Sequence, residues 1–117
     1  MKDDKLYLIY IGECISRIEE YTADGREAFF DDRKTQDAVL RNLHTMAESV
    51  QRLSAEMKSK NAGIDWQGIS GFRNVVVHDY LGVNLNRIWE IVSDDLPKLR
   101  QEIGLMLETT DSNGRNG

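Results

Sequence analysis

The sequence predicts an all-α fold, a single domain of four to five helices that run up and down as a bundle. Apolar residues recur at steps of three and four along most of the 117-residue chain, which is the spacing of one helix face. Proline occurs once, and Leu, Ile, Glu, Arg and Lys are plentiful, a composition that favours helices. The one strand-like run, Val75-Val76-Val77, is too short to build a sheet.

The first helix is predicted from about Asp3 to Thr22. Its apolar stripe is wide, so much of its circumference is expected to be buried; the stripe contains Tyr7, Leu8, Ile9, Ile11, Cys14, Ile15, Ile18 and Tyr21. Asp24-Gly25 ends the helix. One or two helical turns follow from Arg26 to Phe30, and both phenylalanines there are expected in the core.

The longest helix is predicted from about Asp32 to Lys60. Its apolar residues keep a 4-3-4-3-4 spacing, typical of the seam of a bundle or dimer: Val39, Leu43, Met46, Val50, Leu53 and Met57. Asn61-Ala62-Gly63 ends it. Asp65 can then cap a fourth helix that fades near Tyr80-Leu81-Gly82.

The last helix is predicted to start at Asn84, which can cap it, and to carry the stripe Leu85, Ile88, Val92, Leu99, Ile103 and Met106. Pro97 has no backbone N–H, so it should kink this helix or restart it with Asp94 or Asp95 as the cap. The polar segment 109–117 is expected to be a disordered tail, which leaves residues 1–108 as the helical domain.

Composition and termini limit the classes of function. The single cysteine, Cys14, excludes an internal disulfide and a cysteine-based metal site, and it is expected in the core. No His/Asp/Glu set has ligand spacing, so neither a metal nor a cofactor is predicted. The charged start Met1–Lys5 does not resemble a signal peptide, and no apolar run approaches about 20 residues. A cytoplasmic protein without a membrane segment is therefore expected.

The formal net charge is −5, which argues against tight, general binding of nucleic acid. The basic residues are scattered, and no basic recognition helix for DNA is present. A local basic cleft remains compatible with this composition, and dimerisation could concentrate one.

Arg73 stands out on the predicted fourth helix. On a wheel of about 100° per residue it falls in the middle of the apolar arc, which is formed by Trp66, Ile69, Val76, Val77 and Tyr80. Asn74 and His78 share a second face. A buried guanidinium needs an anionic or strongly polar partner. Either Arg73 pairs with a carboxylate of a neighbouring helix while His78 caps the helix end, or these polar groups form a site.

Three blocks of the sequence occur together: Arg73-Asn74-Val75-Val76-Val77-His78-Asp79-Tyr80, Asp32-Arg33-Lys34-Thr35-Gln36-Asp37-Ala38-Val39, and Trp89-Glu90-Ile91-Val92-Ser93-Asp94-Asp95-Leu96-Pro97. The first has the pattern R-x4-H-x-Y, with an asparagine directly after the arginine. From about Lys5 to Ile103 the chain resembles the HepT-like HEPN ribonuclease toxins of bacterial toxin–antitoxin pairs.

The resemblance implies a HEPN-type bundle, a homodimer, and metal-independent cleavage of single-stranded messenger or transfer RNA. His78 would remove the proton of a ribose 2′-OH, and Arg73 would hold the phosphate and stabilise its extra charge. Asn74 would orient His78 or donate to the phosphate. A dimer would place the His78 side chains of both protomers in one cleft, so that one could act as the base and the other as the acid. His44 lies off the seam and is expected to be solvated or peripheral.

The resemblance also implies a partner, a minimal nucleotidyltransferase antitoxin that attaches AMP to the motif tyrosine, here Tyr80. The attached phosphate would occupy the place of the RNA phosphate beside Arg73 and His78. Asp79 could repel RNA or orient His78. The alternative is a non-catalytic dimeric module that binds the nucleotidyltransferase or is modified by it; unmodified dimer would then leave RNA intact.

Overall fold

The computed structural model describes residues 2–75 and 83–116. The first part contains α1 (Lys2–Tyr21), α2 (Arg26–Asp31), α3 (Arg33–Arg52), α4 (Ala55–Lys60), α5 (Trp66–Ser70) and a 3-10 turn (Gly71–Asn74). The second part contains α6 (Val83–Glu90), a π turn (Ile91–Asp95) and α7 (Leu96–Asn116). These residues include no β-strand, so the prediction of an all-α fold is confirmed.

The core lies where α1 packs against α3 and α7. The apolar side chains predicted for the α3 seam are buried, apart from the half-buried Met57. The stripe of α1 is narrower than predicted. Ile9 and Tyr21 remain 37% and 41% exposed, because α3 and α7 together leave one face of this helix uncovered.

The connection between α2 and α3 explains one of the blocks noted in the sequence. The Asp32 carboxylate accepts hydrogen bonds from the Lys34 backbone N–H at 3.1 Å and from the Thr35 hydroxyl at 2.7 Å. The bond from Thr35, more than any other cause, lowers the pKa of Asp32. Gln36 donates to the carbonyls of Phe29 and Phe30 at 2.9 and 3.1 Å. This block therefore caps α3 and fastens α2 to it.

Gly25, which precedes α2, has φ +97° and ψ −177°. This backbone conformation is essentially restricted to glycine. A Cβ there would meet no atom within 4 Å, and the same holds for Gly12 inside α1. The two glycines therefore differ in backbone strain and not in steric room.

Gly25→Ala is expected to lower the free energy of unfolding by about 1–3 kcal/mol, because this backbone conformation is strained for alanine and not for glycine. Gly12→Ala is the matched control and should raise it by about 0.5–1 kcal/mol, because alanine favours the helix. Urea denaturation of both variants measures the two changes. Equal effects of the two substitutions would contradict the assignment to backbone strain.

The predicted long helix from Asp32 to Lys60 is wrong at one point, since it breaks between α3 and α4. Leu53 is extended, with ψ 144°, and the Ser54 hydroxyl caps α4 by accepting from the Met57 N–H at 3.0 Å. Asp4 of α1 accepts from the Ser54 N–H at 2.8 Å and from its hydroxyl at 2.6 Å. Asp4 is only 3% exposed. The break is thus stabilised by a distant carboxylate that the periodic pattern does not reveal.

Residues 83–116 are helical throughout, but the π turn interrupts the α-helical hydrogen bonding, and α7 restarts at Leu96, directly before Pro97, close to the predicted restart. The Leu96 N–H bonds to the Ile91 carbonyl, five residues earlier in the chain. A π turn is wider than an α-helical turn, which leaves room for the proline ring that would clash with the carbonyl four residues earlier in a regular α-helix. Val83 is already helical, so Asn84 lies within the helix and not at its cap.

The end of α7 includes residues 109–116, while the division into a domain of residues 1–108 and a disordered tail stays a prediction. The backbone remains helical through Asn116. The hydroxyls of Thr109 and Thr110 donate to the carbonyls of Leu105 and Met106, so both residues are compatible with a continuing helix. Within the described parts of the chain, no helix combines the length and apolarity needed to cross a membrane.

Candidate active site

The segment that carries Arg73 begins with a firmly anchored α5. The Asp65 carboxylate caps this helix by accepting from the Gly68 N–H at 3.0 Å, as predicted. A side chain at position 68 would collide with that carboxylate. The Trp66 indole N–H donates to the carbonyls of Lys58 and Asn61 at 3.2 and 3.1 Å. The helix is therefore fixed to the end of α4.

The predicted burial of Arg73 is wrong, because α5 does not continue as an α-helix. After Ser70 the chain tightens into the 3-10 turn and then becomes extended at Val75, with φ −73° and ψ 128°. Successive side chains of a 3-10 helix are about 120° apart. Phe72 enters the core, where it is 3% exposed, and Arg73 points to solvent.

Gln51 of α3 holds the exposed Arg73. The Arg73 Nη1 donates to the Gln51 Oε1 at 3.0 Å. Among the residues that the structure describes, the acceptor for this guanidinium is thus a neutral amide and not the carboxylate that was one of the two alternatives. Asn74 is exposed beside Arg73. An arginine side chain carries five N–H donors in a fork that suits an anion, and the bond to Gln51 uses one nitrogen of this fork.

His78, Asp79 and Tyr80 lie outside the described residues, so their placement relative to Arg73 and Asn74 stays a prediction. The helical face that Asn74 and His78 were expected to share assumes an unbroken helix through both. The extended backbone of Val75 interrupts that helix, so helical periodicity no longer relates Asn74 to His78.

His44 is the residue that the sequence reasoning missed. It was expected to be solvated or peripheral, yet it is half-buried, and its Nε2 lies 2.6 Å from the Val75 carbonyl oxygen. The signal was present in the spacing, because His44 and Gln51 are seven residues, or two turns, apart on α3. One face of α3 thus provides polar side chains to both Arg73 and Val75.

A cavity of about 300 Å³ lies on the other side of α5, against the π turn and α7. Its floor is apolar and its rim mixes carboxylates with cations; it is lined by Gly63, Ile64, Asp65, Gly68, Ile69, Phe72, Arg87, Asp95, Lys98, Leu99 and Glu102. Burial raises the pKa of Asp95, and the Arg87 charge only partly offsets this. Arg87 instead makes its short contact, 2.7 Å, with Glu90.

No group of three His, Cys, Asp or Glu side chains is placed to hold a metal ion within residues 3–75 and 85–110. Cys14 is buried, as predicted, and desolvation raises its thiol pKa. A raised thiol pKa disfavours the reactive thiolate. The described part of the motif thus brings together four polar residues: Arg73 and Asn74 of the 3-10 turn, and Gln51 and His44 of α3.

Comparison with known proteins identifies the family. The family described as "Ribonuclease HepT-like" matches residues 11–106. The chain belongs to the HepT-like ribonuclease family. The match spans α3, α5 and the 3-10 turn, and it continues through the motif to His78 and Tyr80.

Relatives of this HepT-like chain are similar over most of its length. A Methanocaldococcus jannaschii protein named "Gamma-glutamylcyclotransferase and putative RNase" is 40% identical over 116 residues, which cover 98% of this chain and 52% of that protein. A Thermococcus cleftensis protein named "Probable ribonuclease HepT" is 34% identical over 100 residues, covering 85% and 91%. The chain thus spans about half of the first relative and most of the second. No solved structure matches.

Proposed function

We propose that this HepT-like chain is a metal-independent endoribonuclease toxin that cleaves single-stranded RNA, either messenger or transfer RNA. The exposed guanidinium of Arg73 is the observation that carries the proposal, because its described partner is the neutral Gln51 amide. An arginine in this state can bind a phosphate with two parallel hydrogen bonds. Family membership and a relative named "Probable ribonuclease HepT" support the ribonuclease activity in this proposal.

The chemistry requires a base, an acid and a charge stabiliser. His78 removes the proton of the ribose 2′-OH, and the 2′-oxygen attacks the adjacent phosphorus. The bond from phosphorus to the 5′-oxygen breaks, and that oxygen takes a proton from an acid. Arg73 stabilises the added negative charge in the transition state, and Asn74 donates to the phosphate or orients His78. The products carry a 2′,3′-cyclic phosphate and a free 5′-hydroxyl.

A homodimer provides the acid in this proposal. Each chain has two histidines, and the Nε2 of His44 is engaged with a backbone carbonyl. A second copy of the motif across one cleft would supply another His78, so that one histidine accepts a proton while the other donates one. The dimer would also bring two Arg73 side chains together, which raises the local positive potential in a chain of net charge −5.

Regulation by a partner completes the proposed function. A minimal nucleotidyltransferase antitoxin would transfer AMP to the Tyr80 hydroxyl, forming a phosphodiester and releasing pyrophosphate from ATP. The attached phosphate would compete with RNA for the guanidinium of Arg73. Mass spectrometry of protein coexpressed with the partner is expected to find the mass of AMP on the Tyr80 peptide. A peptide that never gains this mass under coexpression would contradict the regulation and leave the nuclease proposal standing.

The test of the nuclease uses purified protein whose Tyr80 peptide has the unmodified mass. Messenger and transfer RNA are incubated in EDTA with wild type and with His78→Ala. Wild type should release 2′,3′-cyclic phosphate ends without added metal, and His78→Ala should slow this by about 10²- to 10⁴-fold. If unmodified wild type leaves both RNAs intact, the chain instead acts as a dimeric interaction module for the nucleotidyltransferase.

A further inference from the structure

Two polar side chains of α3 reach the same short segment of the motif. Gln51 accepts from the Arg73 side chain, and His44 contacts the Val75 carbonyl oxygen at 2.6 Å. Arg73 and Val75 are two residues apart, and Gln51 and His44 are two helical turns apart. Helix α3 therefore contacts the motif at two points: at Arg73, and at Val75, where the chain leaves the 3-10 turn.

The contact fixes the protonation of one ring nitrogen of His44. A backbone carbonyl can only accept a hydrogen bond, so the Nε2 of His44 must carry a proton and donate it. Both the neutral Nε2–H tautomer and the imidazolium satisfy this condition. The tautomer protonated only on Nδ1 does not, and it would place two acceptors 2.6 Å apart.

Val75 is the point where the 3-10 turn ends. Its N–H bonds to the Phe72 carbonyl at 3.1 Å, and its own carbonyl accepts from His44. Both polar groups of the Val75 backbone are thus hydrogen-bonded, and these two bonds stabilise its extended conformation at ψ 128°. The direction in which the chain leaves the turn is therefore set by a side chain of α3.

His78 follows Val75 by three residues, a distance that the chain can span with at most about 10 Å. A shift of Val75 therefore changes where the motif histidine can lie relative to Arg73. A misplacement of about 1 Å between reacting groups can cost on the order of 100-fold in rate. The hydrogen bond of His44 acts on Val75, and through Val75 it bears on where His78 can lie.

From this geometry we propose that His44 is a positioning residue of the ribonuclease site, which acts by donating its Nε2 proton to the Val75 carbonyl. The role rests on the ribonuclease function proposed above. Gln51 has the complementary task of directing the Arg73 guanidinium. Both residues lie on one face of α3, so this helix presents the motif as well as forming the core.

Two variants of His44 separate positioning from other roles. His44→Gln keeps an N–H donor on a side chain of similar reach, whereas His44→Leu has none. In His44→Leu, kcat for RNA cleavage should fall about tenfold while KM changes less than about twofold, because catalytic geometry and not RNA binding is lost. His44→Gln should recover kcat to within about threefold of wild type. Wild-type kcat in His44→Leu, or equal losses in both variants, would overturn the proposal.

Two measurements on the protein without RNA keep the test independent of cleavage. Nitrogen-15 NMR of the wild-type imidazole should find the proton of His44 on Nε2, and a proton on Nδ1 alone would overturn the proposal. Amide exchange at Val75 should accelerate about tenfold in His44→Leu and stay near wild type in His44→Gln. Unchanged exchange in His44→Leu would contradict the anchoring. If the wild type fails to cut RNA while both measurements give the expected results, the nuclease proposal fails and the anchoring by His44 stands.

Discussion

Arg73→Ala is expected to reduce RNA cleavage by about 10²- to 10³-fold, the effect of removing one preorganised donor to a transition-state anion. The side chain is exposed and has one described partner, Gln51, so its removal should leave the fold intact. Arg73→Lys should recover only a small part of the rate, because a lysine cannot form the paired bonds of a guanidinium. Single-turnover cleavage of a short RNA in EDTA measures both variants.

Arg17→Ala is the matched control for Arg73→Ala. Arg17 is also an exposed arginine, and its partner Glu13 lies at 4.0 Å on the same helix, α1. Both variants lose one positive charge, so a general electrostatic effect on RNA binding would slow both. The proposed role requires that Arg17→Ala cleave within about twofold of wild type. Similar losses in the two variants would refute a specific role for Arg73.

Asp4→Ala is expected to cause the largest loss of stability, about 3 kcal/mol, or roughly 10 °C in Tm. The carboxylate is 3% exposed and accepts two hydrogen bonds from Ser54. Without it, the Ser54 N–H and hydroxyl stay near the core without their acceptor, and the N-terminus of α4 loses a favourable negative charge. Thermal and urea unfolding measure the change.

Asp3→Ala serves as the control, because Asp3 is exposed in the same first turn of α1. Its effect should stay within about 0.5 kcal/mol. A double-mutant cycle between Asp4→Ala and Ser54→Ala should also give a coupling energy above about 1 kcal/mol. Equal effects of Asp3→Ala and Asp4→Ala would show that only helix-terminal charge matters. Additive effects of Asp4→Ala and Ser54→Ala would contradict the direct contact.

Much of the fold follows from apolar spacing alone, because this spacing marks the face of each helix that packs against its neighbours. The seam from Val39 to Leu53 and the buried Phe29 are both confirmed. The failures occur where hydrogen bonds act between distant residues. Nothing in the periodicity of residues 32–60 indicates that Asp4, fifty residues before Ser54, stabilises a break in the helix.

At the site, too, the sequence indicated the residue types but not the contacts between residues that are distant in the chain. The motif around Arg73 was recognisable by its residue types, but its geometry was predicted from a uniform helix. Three or four residues of 3-10 conformation suffice to move Arg73 from the core to solvent. Only its spacing of two turns from Gln51 marked His44, and its contact depends on the approach of Val75, thirty-one residues later.

The π turn between α6 and α7 means that this long helix contains, in effect, one extra residue. Ile91 and Leu96 are both buried although they are five positions apart, a step that a regular α-helix would place on different faces. Deleting one residue between them would rotate α6 by about 100° relative to α7. Trp89, whose ring centroid lies 5.5 Å from that of Phe29, would then turn away from α2. A shortened chain could keep the packing of one half of the helix or of the other, but not of both.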